Sequence, residues 1–154
     1  MGVFYADSSV LVKRHVVEVG STWVENLCDP EQGNEIITSR LSAVEVVSAL
    51  NRRVREGSIP TEDYPGLRDD FLALCRQRYW LIQTTNPVLA RARLLLERHV
   101  IRSYDALHLA SALIAHDRRV MIGLAKLTFL AADQRLLAAA IAEGLVVDNP
   151  NNHS

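Results

Sequence analysis

The chain has a mass of 17.2 kDa and 154 residues. Of these residues, 49% are hydrophobic and 23% are charged, as expected for one globular domain. Its 17 basic and 18 acidic side chains nearly cancel, which excludes a strongly basic body that would attract nucleic acid by total charge. The two cysteines fit neither a CxxC pair nor zinc-ligand spacing. The sequence contains neither a stretch apolar enough to span a bilayer nor a signal-peptide pattern, so we expect a cytoplasmic protein without membrane contact.

Strands and helices alternate in the first half of the chain. The run VFYA predicts a strand, and apolar residues at helical spacing predict a helix over 9–19. A short helix capped by Ser21 or Thr22 and a strand at EIITS follow. The pattern over 42–56 is the strongest helix signal, and Gly57 suits its end.

The alternation continues in the second half. We expect a helical stretch from Pro60 that is interrupted at Pro65-Gly66, then strands at 79–85 and 128–132. Further predicted elements are helices beginning near Asn86-Pro87, Ser103 and Gln134, and a short strand at 144–147. This order predicts one α/β domain over residues 1–149, with three layers and a mainly parallel central sheet flanked by helices, followed by a polar tail at 150–154.

Four acidic residues stand at the ends of strands or the starts of helices: Asp7, Glu45, Asp105 and Asp133. Each has a structural explanation. Asp7 and Asp133 suit helix N-caps, and Asp105 complements a helix dipole. Ser42-x-x-Glu45 has the form of a capping box, in which the glutamate bonds back to the cap residue.

Together the four acids suggest more, because parallel α/β sheets bind ligands at the carboxyl ends of their strands, toward which helix N-termini also point. Carboxylates brought together there would repel one another unless a cation lay between them. Oxygen ligands and retained water suit Mg²⁺, with Mn²⁺ as a plausible substitute. The acids therefore predict a metal site for phosphate chemistry.

Four segments, in order along nearly the whole chain, resemble the PIN domain, specifically the VapC-type toxin ribonucleases of bacterial toxin-antitoxin pairs. They are FYADSSVLVK, SAVEVVSAL, YDALHLASAL and FLAADQRLLAAAIAEGL, the last leading into VVDNP. The resemblance implies an endoribonuclease that cuts single-stranded or loop RNA with a metal-binding acidic cluster, here Asp7, Glu45, Asp105 and Asp133. It also implies a small antitoxin as partner and a homodimer.

In the mechanism we expect, one or two Mg²⁺ ions held by Asp7, Asp105 and Asp133 polarise the phosphate and activate water, while Glu45 tunes or deprotonates that water. Ser9 is a candidate for holding the metal shell or phosphate, although its position also suits a helix cap. Arg52, in an arginine run after Glu45, is a candidate phosphate contact.

Two features depart from the family pattern. Ala131 stands where relatives often carry a hydroxyl two residues before the last acid, and the segment 117–127 is longer than usual. That segment either extends the preceding helix or forms a loop at the rim of the site. His108, three residues after Asp105, fits a packed residue with one satisfied nitrogen better than a metal ligand.

Two other functions are compatible with the same residues. The chain could be a catalytically inactive PIN-like binding module in which the acids are only caps. It could also be a haloacid-dehalogenase-like phosphatase with Asp7 as nucleophile. The second fits less well, because such enzymes have another aspartate two residues on, where this chain has Ser9.

Overall fold

Five short strands form one parallel sheet in the computed structural model, which describes residues 1–153. The spatial order is β3-β2-β1-β4-β5, and every neighbouring pair is parallel. The strands are β1 (Val3–Ala6), β2 (Glu35–Ser39), β3 (Tyr79–Ile82), β4 (Thr128–Leu130) and β5 (Val146–Asp148). The central position of β1 makes its carboxyl end the middle of the sheet edge at which a ligand would bind.

Seven α-helices connect the strands, together with two short 3-10 helices at Pro30–Gln32 and Pro150–Asn152. The α-helices are α1 (Ser8–Val12), α2 (Ser21–Leu27), α3 (Ser42–Arg55), α4 (Tyr64–Gln77), α5 (Asn86–Arg98), α6 (Ser103–Met121) and α7 (Gln134–Ala142). Within residues 1–153, none of these helices combines the length and the apolar character needed to cross a bilayer.

The sheet has a separate apolar core on each face. Alternate residues of a strand point to opposite faces, so Tyr5 packs with α5, α6 and α7, whereas Ala6 packs with α1 to α4. Both strand faces are therefore buried, which is why the strands read as continuous apolar runs. The predicted α/β fold with three layers and a parallel central sheet is confirmed.

The chain reverses its direction across the sheet at β1. From β1 it proceeds outward through β2 to β3, and it then returns to β4 and β5 on the other side of β1. A crevice forms where such a reversal separates two neighbouring strands, here β1 and β4. The backbone N–H of Asp7 donates to Leu130 O at 3.2 Å, so the residue after β1 is tied to the last residue of β4.

The predicted helix over 9–19 is wrong in length, because α1 ends at Val12. After it the chain turns back on itself, and Lys13 holds the turn by donating from Nζ to Val19 O at 2.7 Å and to Glu18 Oε1 at 3.1 Å. The Lys13 side chain is buried by this turn. Helical spacing alone did not reveal that the Lys13 side chain would hold a turn by contacts five and six residues further along the chain.

The predicted interruption at Pro65-Gly66 is also wrong. Helix α4 begins at Tyr64 and runs continuously to Gln77, with Pro65 in its first turn. A proline is tolerated there, since the first N–H groups of a helix have no partner within the helix.

Two predicted segments, the polar tail and the long segment 117–127, contain regular structure; Ser154, the last residue of the tail, lies outside the described residues. Residues 150–152 form a 3-10 helix with Pro150 buried, and the ring of His153 stacks on Trp23 with centroids 4.2 Å apart. The long segment 117–127 continues α6 to Met121 before a loop. Because α6 begins at the carboxyl edge of the sheet, this extension lies at the far end of the helix and away from the predicted site.

Candidate active site

All four predicted acids line one cleft of about 630 Å³ at the carboxyl ends of β1 and β4. Asp7 follows β1 directly, and Asp133 precedes α7, while Glu45 and Asp105 lie in the first turns of α3 and α6. Ser9 lies in the same cleft. The fold therefore brings together side chains that are up to 126 residues apart in the sequence, the separation of Asp7 from Asp133.

Asp7 is both a helix cap and a cleft residue. Its Oδ1 accepts hydrogen bonds from Ser9 Oγ at 2.6 Å and from the Val10 N–H at 3.2 Å. Only 4% of Asp7 is exposed, and burial raises the pKa of its carboxyl, opposed by the charge of His108 and the Ser9 hydrogen bond. A buried carboxylate held at such a cost is a frequent property of functional sites.

Asp133 divides its two oxygens in the same way. Its Oδ1 caps α7 by accepting from the N–H groups of Arg135 at 2.8 Å and Leu136 at 3.1 Å. Its Oδ2 faces the cleft, 3.8 Å from Nη2 of Arg102. The capping explanation and the cleft explanation are thus both correct, because each uses a different oxygen atom.

Glu45 does not form the predicted capping box. The N-cap of α3 is Leu41, and the hydroxyl of Ser42 is instead paired with Thr38 Oγ1 at 2.7 Å in the interior. Glu45 turns into the cleft, where Oε2 accepts from Ser8 Oγ at 3.2 Å and Oε1 lies 2.6 Å from His108 Nε2. The glutamate is therefore available to the site and is not used to end its own helix.

His108 is a residue whose role the sequence did not reveal. Both of its ring nitrogens have partners, since Nδ1 lies 2.9 Å from the Tyr5 hydroxyl and Nε2 contacts Glu45. Burial alone would lower the pKa of His108, but the hydrogen bond and charge of Glu45, together with the charges of Asp7 and Asp105, outweigh it and raise the pKa. The only sequence signal was its spacing of three residues from Asp105, which places both on one side of α6.

Arg102, which caps α6, is the second unforeseen residue. Its Nε donates to Asp105 Oδ2 at 3.3 Å, and its Nη2 reaches toward Asp133. Arg52, the predicted phosphate contact, does not line the acidic cleft; it lines an adjoining groove of about 440 Å³ that shares Ser8 and Glu45 with the cleft.

The donor set is composed of carboxylate and hydroxyl oxygens, the ligands that hard divalent ions prefer. Among residues 1–153, however, no three His, Cys, Asp or Glu side chains are placed to hold one ion together. Arg102 holds Asp105 and Asp133, and His108 holds Glu45. The residues fit a divalent ion by their chemistry, and binding would require Asp105 and Asp133 to turn from Arg102.

Comparison with known proteins supports one family. The family model described as "PIN domain" matches residues 4–141. The chain is 30% identical to "Ribonuclease VapC45" and to "Ribonuclease VapC49", both of Mycobacterium tuberculosis, over 94% of this chain and 93% of each relative.

Two solved structures share the fold at low sequence identity. One is VapBC2 from Rickettsia felis bound to a promoter DNA fragment, with a TM-score of 0.58, 14% identity, and coverage of 96% of this chain and 98% of the other. The second is FitAB bound to the IR36 DNA fragment, with a TM-score of 0.64, 16% identity, and coverage of 96% and 94%.

Proposed function

The chain belongs to the PIN domain family, and from this premise we propose that it is a metal-dependent endoribonuclease, the toxin of a toxin-antitoxin pair. One observation carries the proposal: four carboxylates from four separate elements line a single cleft at the point where the sheet reverses direction. The names of the two mycobacterial relatives support ribonuclease activity. We propose single-stranded or loop RNA as the substrate.

We propose Mg²⁺ as the cofactor, with Mn²⁺ able to replace it, held by Asp7, Asp105 and Asp133. When bound, the ion would polarise the phosphodiester and activate a water molecule for hydrolysis. Asp7 is oriented for this role by Ser9 and by the start of α1, which fix its Oδ1 and leave Oδ2 for the cleft.

Glu45 accepts the proton of the attacking water in this mechanism. His108 and Ser8 hold one carboxylate oxygen each, which keeps the side chain in a single orientation. The longer contact, 3.2 Å to Ser8, leaves Oε2 the freer atom, so this oxygen takes the proton.

A small antitoxin is the proposed partner, because the solved structures that share the fold are described as the VapBC2 and FitAB complexes. We also propose a homodimer. Co-expression with any small gene that adjoins this one, followed by copurification and light scattering, tests both proposals. Isolation of the chain as a monomer that binds no product of that gene would contradict them.

The decisive experiment measures cleavage of a single-stranded RNA with and without Mg²⁺ for the wild-type protein, Asp7→Asn and Asp105→Asn. We expect both variants to lose about 100-fold or more in rate, because loss of a residue that merely orients a metal ligand already costs about 10-fold to 100-fold. Asp117→Asn is the matched control: it removes the same charge from α6, about 18 Å along the helix from Asp105. Full cleavage by both site variants would overturn the proposal.

Two further measurements on the wild-type protein test the alternative functions, an inactive binding module and a phosphatase. An inactive binding module would show no stabilisation by Mn²⁺ in a thermal melt, since a ligand that binds only the folded state must raise its stability. A phosphatase that uses Asp7 would hydrolyse a phosphomonoester such as p-nitrophenyl phosphate, and we expect no such turnover.

A further inference from the structure

Arg102 places a permanent positive charge between two acids of the cleft. Its Nε lies 3.3 Å from Asp105 Oδ2 and its Nη2 lies 3.8 Å from Asp133 Oδ2. The Arg102 side chain is 82% exposed, whereas that of Asp105 is only 16% exposed. The guanidinium thus reaches in from solvent over carboxylates that belong to the wall of the cleft.

The four acids have two different kinds of partner. Asp7 and Glu45 are held by hydroxyl groups, a backbone N–H and the buried His108, all of which belong to the packed interior or its edge. Asp105 and Asp133 share the exposed Arg102. An exposed, flexible guanidinium is weakly held, since exposed ion pairs contribute little and are screened by salt.

A divalent ion held by Asp105 and Asp133 would compete with Arg102 for the negative charge of the same two carboxylates. A cation with two charges attracts these carboxylates more strongly than the guanidinium does, and the two cations repel each other when close. Binding of the ion therefore weakens the contact of Arg102 with the acids, and the contact of Arg102 with the acids weakens binding of the ion to the same extent.

A second cleft next to the acidic one can accommodate the Arg102 side chain after its displacement. A neighbouring cleft of about 520 Å³ shares Arg102, Asp105 and Asp133 with the acidic cleft and is also lined by Arg135. A guanidinium there can donate two parallel hydrogen bonds to a phosphate group, which suits a nucleic-acid backbone passing the acids.

We propose that Arg102 is a displaceable counter-ion, which holds Asp105 and Asp133 in the metal-free protein and binds the RNA backbone once a divalent ion has replaced it. This inference rests on the proposed nuclease function. It explains why the four acids share one cleft although no three of the candidate ligands among residues 1–153 are arranged to hold an ion together.

The test titrates Mn²⁺ into the RNA-free protein and measures its affinity by calorimetry. We expect Arg102→Ala to bind Mn²⁺ about threefold to tenfold more tightly than the wild type, because the competing charge is gone. Arg118→Ala is the matched control, since it removes the same charge from α6 about 24 Å along the helix, which exceeds the screening length at physiological salt. Its Mn²⁺ affinity is expected to equal that of the wild type.

RNA cleavage at saturating Mn²⁺ provides the second measurement. We expect Arg102→Ala to raise the KM for RNA about tenfold, with a smaller change in kcat. Arg102→Lys keeps the positive charge but loses the paired donors of the guanidinium, so we expect wild-type Mn²⁺ affinity and a raised KM for RNA.

The outcomes distinguish this inference from the function on which it rests. Unchanged or weaker Mn²⁺ binding by Arg102→Ala, alongside normal binding by the wild type, would overturn the role of Arg102 and leave the nuclease proposal intact. Absence of Mn²⁺ binding by the wild type would overturn both.

Discussion

Nε2 of His108 lies 2.6 Å from Oε1 of Glu45, as close as Ser9 Oγ lies to Asp7 Oδ1 in the same site. On the other side of the ring, Nδ1 lies 2.9 Å from the hydroxyl of Tyr5, which is fully buried on β1. Two other elements, α6 and β1, thus hold Glu45 of α3 in place through buried groups. Because buried polar groups are costly when left unpaired, the stability of the domain and the geometry of its site depend on the same contacts.

Replacement of His108 by phenylalanine tests this dependence. The ring is kept, but the Tyr5 hydroxyl loses its histidine partner and Glu45 loses its tightest contact. We expect His108→Phe to lower the free energy of unfolding by about 2–4 kcal/mol, measured by urea denaturation, because the buried hydrogen bonds are lost. The kcat for RNA cleavage should also fall, because His108 no longer orients the Glu45 carboxylate.

A double-mutant cycle with Tyr5→Phe separates the pair. If the hydrogen bond between Tyr5 and His108 is the source of the cost, the double variant will be more stable than the sum of the two single losses by about 1 kcal/mol or more. Strictly additive losses would show that the two residues do not interact energetically.

The charge of Asp7 should lower the stability of the domain while being required for its activity. Its buried carboxyl has a raised pKa, so the charged form is held at a cost, whereas asparagine is an equally good N-cap. We expect Asp7→Asn to be as stable as the wild type or more stable in urea without divalent ions, and to be inactive on RNA. Asp7→Ala, which also removes the cap, should be less stable than Asp7→Asn by about 1 kcal/mol. Equal destabilisation by both substitutions would contradict this explanation.

His15 should make the protein sensitive to acid. Burial, assisted by the charge of Arg14 and opposed by Asp70, lowers the pKa of His15 from 6.5 to about 4, and its Nε2 is buried without a partner among residues 1–153. The unfolded chain therefore takes up a proton below pH 6.5 that the folded state rejects. The stability due to neutral His15 is complete above that pH and is lost as the pH falls toward about 4.

Comparison with His15→Gln isolates this effect from the titration of the carboxylates. Between pH 7 and 4.5, we expect the wild type to lose roughly 1–3 kcal/mol more than the variant in urea denaturation. Parallel pH profiles for the two proteins would exclude His15 as the sensitive group.

The packing of the C-terminal residues can be tested at two glycines with the same backbone conformation. Gly20 has φ +83° and a Cβ there would lie 2.4 Å from Pro150 O, whereas Gly57 has φ +84° with no atom within 4 Å of such a Cβ. Both alanine variants bear the cost of the left-handed conformation, about 1–2 kcal/mol. We expect Gly20→Ala to lose a further 1–3 kcal/mol or so from overpacking, measured by thermal and urea unfolding. Equal losses at the two sites would show that Pro150 does not pack against Gly20 in solution.

The sequence was sufficient to predict the layered α/β fold, the order of its elements and the four acids that line the cleft. These follow from local signals: apolar periodicity distinguishes strands from helices, and acidic residues mark their ends. The error at 13–19 arose because side-chain contacts of Lys13 hold a turn there, and the error at Pro65 arose because the proline lies in the first turn of its helix.

Contacts between distant parts of the chain fix how each acid is oriented in the cleft and which partner holds it. The capping box at Ser42 and Glu45 was plausible locally, yet a buried histidine 63 residues away competes for the glutamate and holds it instead. The contact of Arg102 with Asp133, 31 residues later in the chain, likewise exists only in the folded protein. Charge and hydrogen bonding act over a few ångströms in space, and sequence spacing does not measure those distances.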